Sequence, residues 1–87
     1  MRKSYKFEKI HDSEGDVRAY KLGSNYLIKH YYFNNNYEWL ISRGCEWLGF
    51  DSEILRKLET GEIEIAFSCK QGKERLIGLF EQESRNN

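Results

Sequence analysis

Cys45, Cys69, His11 and His30 are the side chains in this sequence best suited to holding a metal ion or attacking an electrophile. Two thiols and two imidazoles match a structural zinc site in number. Their spacing does not match. Compact zinc sites pair ligands about two to five residues apart, so that each pair clamps the ion locally. Here the cysteines are 24 residues apart. Cys45 lies in Arg43-Gly44-Cys45-Glu46-Trp47, where a neighbouring cation favours the thiolate and a histidine partner would complete a nucleophile. Nothing in the sequence brings His11 or His30 to it. Both cysteines therefore read as core thiols.

Carboxylates offer no better prospect. Glu62 and Glu64 share one face of a strand pattern, where acidic pairs ordinarily serve solvation. Asp12, Glu14 and Asp16 alternate like the start of a calcium loop, but Lys21 stands six residues after Gly15, where the closing bidentate acid belongs. The glycines are scattered singly and build no phosphate cradle. No metal, cofactor or catalytic residue is expected from this pattern.

One segment mixes rings with cations. Lys29-His30-Tyr31-Tyr32-Phe33, with Tyr20 and Tyr37 nearby, has the composition that single-stranded nucleic-acid binders use for base stacking. The plainer reading is an aromatic core strand. Arg2, Lys3, Lys6, Lys9, Arg18 and Lys21 would extend a basic surface, but Glu8, Asp12, Glu14 and Asp16 are interspersed among them.

The frame that must position these residues is small. The chain has 87 residues, enough for one domain spanning 1–87, and an efficient core is needed at that size. Five Phe, six Tyr and two Trp supply it, since each buried ring removes roughly 150–250 Å² from water. The 14 basic and 14 acidic side chains cancel, yet the halves differ. Residues 1–44 carry eight Lys/Arg against five Asp/Glu, and residues 45–87 carry six against nine. Such a split favours oriented docking on a partner. It argues against a dedicated DNA-binding domain, which is usually basic overall. The first ten residues lack the apolar stretch of a signal peptide, and no run is long enough to span a bilayer. A reducing, cytoplasmic location is expected.

Alternation in residues 3–10, with Tyr5 and Phe7 on one face, predicts a half-buried strand. A polar loop at 11–16 leads to a second strand at 17–22, and Gly23-Ser24-Asn25 reverses the chain. Residues 26–33 and 37–42 read as an aromatic hairpin turning at Asn34-Asn35-Asn36, apolar on both faces and hence central. A helix over 37–48, with Trp39, Leu40, Arg43 and Trp47 on one side, is the competing assignment. Residues 52–60 predict a helix capped by Asp51, stapled by Phe50 on Leu55 and stopped at Gly61. Strands are predicted at 62–69, with Ile63, Ile65, Phe67 and Cys69 inward, and, after a turn at Gln71-Gly72-Lys73, at 75–80, followed by a frayed tail at 81–87. The expected architecture is α+β: a mostly antiparallel sheet of about six strands, β-β-β-β-α-β-β, with one helix on one face.

The sequence thus points to a non-catalytic protein-binding module, acting as a small inhibitor, adaptor or regulatory protein of the kind phages and mobile elements make. Its expected partner surface is Lys29, Tyr31, Tyr37, Trp39, Trp47 and Tyr20, because Tyr and Trp are favoured interface anchors. Nucleic-acid binding through the aromatic–basic strand is the alternative. A small-molecule or nucleotide pocket between helix and sheet, lined by Trp39, Trp47 and Tyr32, is a further one. No membrane partner is expected.

Overall fold

The computed structural model describes residues 5–32, 36–46 and 48–85. Strands β1 (Glu8–His11), β2 (Val17–Leu22), β3 (Asn25–Tyr31), β4 (Tyr37–Arg43) and β5 (Ile63–Ala66) form one antiparallel sheet. Each lies beside its sequence neighbour, which puts β3 in the middle and leaves β1 and β5 as edges. Helix α1 (Asp51–Thr60) is inserted between β4 and β5, and α2 (Cys69–Arg85) follows β5. The chain is a small compact α+β domain.

Period-two alternation on β3 and β4 builds two cores, one on each face of the sheet. Ile28 and Leu40 join Ala19, Leu48, Ile54 and Ile63 beneath α1. Leu27 and Ile41 join Leu22, Ala66, Leu76 and Leu79 beneath α2. The aromatic hairpin is therefore central, as its two apolar faces required, and residues 37–43 are strand and not helix.

Six strands and a single helix were expected; the chain forms five strands and two helices. Residues 75–80 belong to α2, as do 71–73, which had been expected to turn, and 81–85, expected to fray; 86–87 lie outside the described residues. The physical reason is coverage. One helix protects only one side of β3, and a seventeen-residue α2 shields Leu22, Leu27 and Ile41 on the other. Gly72, Leu76 and Leu79 face the sheet at helical spacing. Gly72 lies where helix and sheet approach most closely: a Cβ there would meet Leu27 Cδ2 at 2.7 Å and Cδ1 more closely still.

Three local expectations also fail. Helix α1 begins at Asp51 itself, so Phe50 occupies the cap position without a side-chain cap bond. Phe50 and Leu55 are both exposed, so no staple forms between them. Of the first predicted strand, Glu8–Ile10 pair with β2 and His11 joins them from the predicted loop, while Tyr5 and Phe7 pack from before them against the α2 side and residues 3 and 4 lie outside the described residues. Gly61, at φ 81°, does stop α1: its N–H bonds to the Leu58 carbonyl in a conformation that glycine adopts without strain. The loop at 12–16 is held by Asp12, whose carboxylate accepts the Glu14 and Asp16 N–H groups at 2.9 and 3.0 Å. That carboxylate is thereby used in the turn.

Strand β5 also departs from its pattern. Glu64 points to the α2 side, where Arg75 donates to it through Nε and an Nη, and Arg43 donates from β4. The hydrogen bond from Arg75, reinforced by both guanidinium charges, outweighs desolvation and holds the Glu64 carboxyl below its ordinary value. A depressed folded-state pKa contributes stability above the unfolded-state value of 4.5 and loses it as pH falls through the folded value. The melting temperature of the wild type is accordingly expected to fall more steeply than that of Glu64→Gln between about pH 5 and pH 3. Parallel curves would show that this cluster contributes nothing. Among the described residues, no helix is long and apolar enough to cross a membrane.

Candidate functional site

Helix α2 does not cover its whole face of the sheet. Its first turns sit over Leu27, and the end of the face carrying Lys29, Tyr31, Tyr37 and Trp39 lies beyond them. Register explains how these residues meet. Lys29 stands opposite Trp39 and Tyr31 opposite Tyr37, and residues directly opposed across antiparallel strands share a face. Tyr20 arrives from β2 on the same side, and its ring lies 6.1 Å from that of Trp39. Tyr31 and Tyr37 are 5.5 Å apart, centroid to centroid. Five of the six residues expected to form the partner surface are thus gathered in one patch. The sixth, Trp47, lies outside the described residues.

Two ammonium groups rest on these rings. Lys29 Nζ lies 4.4 Å from the Tyr37 centroid, 5.2 Å from Tyr31 and 6.0 Å from Trp39. Lys73 Nζ, from the first turns of α2, lies 4.1 Å from Tyr20 and 5.8 Å from Phe7. A cation over a π face is held in place by the ring quadrupole while its outer side stays available. Interaction with the Tyr31 hydroxyl pushes Lys29 above the ordinary lysine value, against the opposing effect of desolvation, so the amine is charged throughout the neutral range. Phe7 and Lys73 are missing from the residues the sequence suggested. Lys73 had been assigned to a turn, and the Gly72–Leu76 helical spacing is the signal that would have placed it.

The rings differ in exposure. Tyr31 is 58% exposed and Tyr37 50%, whereas Trp39 and Tyr20 are half-buried against the α2 core. The outer pair presents large, amphipathic surface to solvent. The inner pair fixes the floor.

The other candidate constellations are not assembled. His30 extends from the α1 side of β3 towards Asp51, with Nε2 3.2 Å from a carboxylate oxygen, and packs edge-on against Tyr32. Cys45 follows the far end of β4: Arg43 pairs with Asn25, whereas His30 pairs with Glu38 near the other end of the same ladder. The thiol and imidazole are therefore not neighbours. Cys45 is exposed and Cys69 half-buried, so the expectation of two core thiols fails for Cys45. It sits in the loop after β4, where the Ser42 hydroxyl donates to its carbonyl. Among the described residues, no group of three or more His, Cys, Asp and Glu is placed to hold a metal ion.

Of the pocket expected between Trp39, Trp47 and Tyr32, Trp47 lies outside the described residues, and Trp39 and Tyr32 are on opposite faces of the sheet. Trp39 faces α2, whereas the Tyr32 hydroxyl donates to Glu38 and its ring meets His30 on the α1 side. Burial and the Glu38 carboxylate push Tyr32 up to about 12, which keeps it a neutral donor. A shallow groove of about 340 Å³ lies elsewhere, where Ser24 and Asn25 donate to Glu83 beside Arg43 and Leu79. Those contacts tether the end of α2 to the β2–β3 turn.

Comparison of the chain with protein-family models, curated proteins and solved structures gives no match.

Proposed function

We propose that this domain is a non-catalytic protein-binding module, a small inhibitor, adaptor or regulatory protein, that docks its partner on the patch of Lys29, Tyr31, Tyr37, Trp39 and Tyr20. One observation carries the reading: two well-exposed tyrosines stand over a fixed aromatic floor with a lysine held between them. Such a surface combines rigid rings, low ordering cost and a charge for orientation, the features of interface hot spots. Phages and mobile elements make inhibitors of this size, which fits the same class.

Single-stranded nucleic acid is the second reading, favoured by the same stacked rings. The charge arrangement weighs against it. Arg18 is paired with Glu46, Arg43 and Arg75 share Glu64, and the charge of Asp16 is felt at Lys29. The cations at the patch itself are Lys29 and Lys73 on the rings and Lys9 opposite Tyr20. An oligothymidylate titration at low and high salt discriminates the readings. No binding at low salt is expected; a measurable affinity that falls steeply as salt rises would replace the protein-binding proposal with the nucleic-acid one. The positive arm is affinity capture of a partner by the wild type and its loss with Tyr31→Ala/Tyr37→Ala. Equal recovery by both proteins contradicts the proposal.

A further inference from the structure

The two edges of the sheet are chemically unlike. β1 presents Glu8, Lys9 and His11 around a single Ile10, the kind of charged edge that resists pairing with another chain. β5 has the opposite character. Ile65 is 50% exposed, and Phe67, immediately after the strand, is 91% exposed. Both had been expected to face inward. Among the described residues, no strand pairs with the outer side of β5.

We infer that β5 is a self-association edge, at which a second copy of this chain adds antiparallel to Ile63–Ala66 and joins two five-stranded sheets into one. The occupant follows from the strand's own sequence. A two-fold axis centred on Ile65 sets Ile65 against its symmetry mate, Ile63 against Phe67, and Glu64 against Ala66. The three apolar residues then match one another on one face, and no carboxylate opposes another. Moving the axis to Glu64 puts two Glu64 carboxylates directly opposite, and moving it to Ile63 sets Glu62 against Glu64. Like charges in those positions disfavour both registers. The pairing is isologous, so it closes at two copies and leaves the charged β1 strands as the outer edges.

The two-fold axis runs perpendicular to the sheet, so both aromatic patches lie on the same side of the dimer. A partner with two matching segments would be held with avidity.

Sedimentation equilibrium from about 1 to about 500 µM, a range spanning tight to weak association, tests the inference. The mass is expected to rise from 10.4 kDa to twice that value and stop there. Ile65→Lys places like charges at the axis and should keep the protein monomeric with an unchanged circular dichroism spectrum; Phe67→Glu is the second variant should that one misfold. Register is read by mild oxidation. Ile65→Cys is expected to form a covalent dimer at least tenfold faster than Phe67→Cys, whose residue lies four positions from its mate across the pairing. A wild type that stays at 10.4 kDa throughout overturns the inference, as do growth beyond two copies and equal crosslinking at 65 and 67.

Discussion

Leu27→Ala is expected to lower stability by about 3 kcal/mol, the middle of the range for emptying a fully buried leucine site. For a domain of this length that corresponds to a fall of about 12–24 °C in melting temperature. The effect should be large because Leu27 sits on the middle strand, under the first turns of α2, and is the residue on which Gly72 rests. The same contact predicts a second result. Gly72→Ala gains about 1 kcal/mol of helix propensity but drives a methyl group into Leu27, an overpacking cost of about 1–3 kcal/mol. With Leu27 already shortened, that methyl enters vacated space. The double variant should therefore be more stable than the sum of the single effects implies, by at least about 1 kcal/mol. Denaturant titrations of the four proteins measure this directly. Additive effects would mean that α2 does not rest on β3 through this pair.

The second large effect concerns the patch. Tyr37→Ala removes an exposed ring and one wall of the Lys29 site, and should weaken the partner by at least tenfold, about 1.4 kcal/mol. Its melting temperature should hardly change, because the ring is half in water. Trp39→Ala should lose affinity and stability together, since Trp39 also packs with the core beneath α2. That contrast distinguishes a binding surface from a part of the fold. Loss of affinity in strict proportion to loss of stability across the two variants would assign the rings a structural role alone.

Much of this architecture was legible in the chain, for identifiable reasons. The alternation of Tyr26, Ile28 and His30 with Leu27, Lys29 and Tyr31 marked a strand covered on both sides, and it is the middle strand. Gly61 and the Ile54–Leu58 spacing located α1. The second helix was hidden by Gly72, which reads as a turn between two strands. Its context reverses that meaning, because Gly72 allows a helix backbone to approach Leu27. Ile65 and Phe67 misled in the other direction. Perfect alternation implies a buried face, but an edge strand can carry apolar residues beyond the helix above it.

Within the patch, residue types were readable but grouping was not. Tyr20, Lys29 and Trp39 belong to three different strands, and only the hairpin registers bring them together. Lys73 joins them from a helix that local pattern did not reveal.

The most direct measurement of the central claim is site-specific photo-crosslinking. A benzophenone amino acid at position 37, on the patch, is compared in cells with one at position 59, exposed on α1. The account predicts one protein adduct of defined mass from position 37, absent from position 59 and lost when Tyr31→Ala is added. The same adduct from both positions, or none from 37 while 59 reacts, would contradict it.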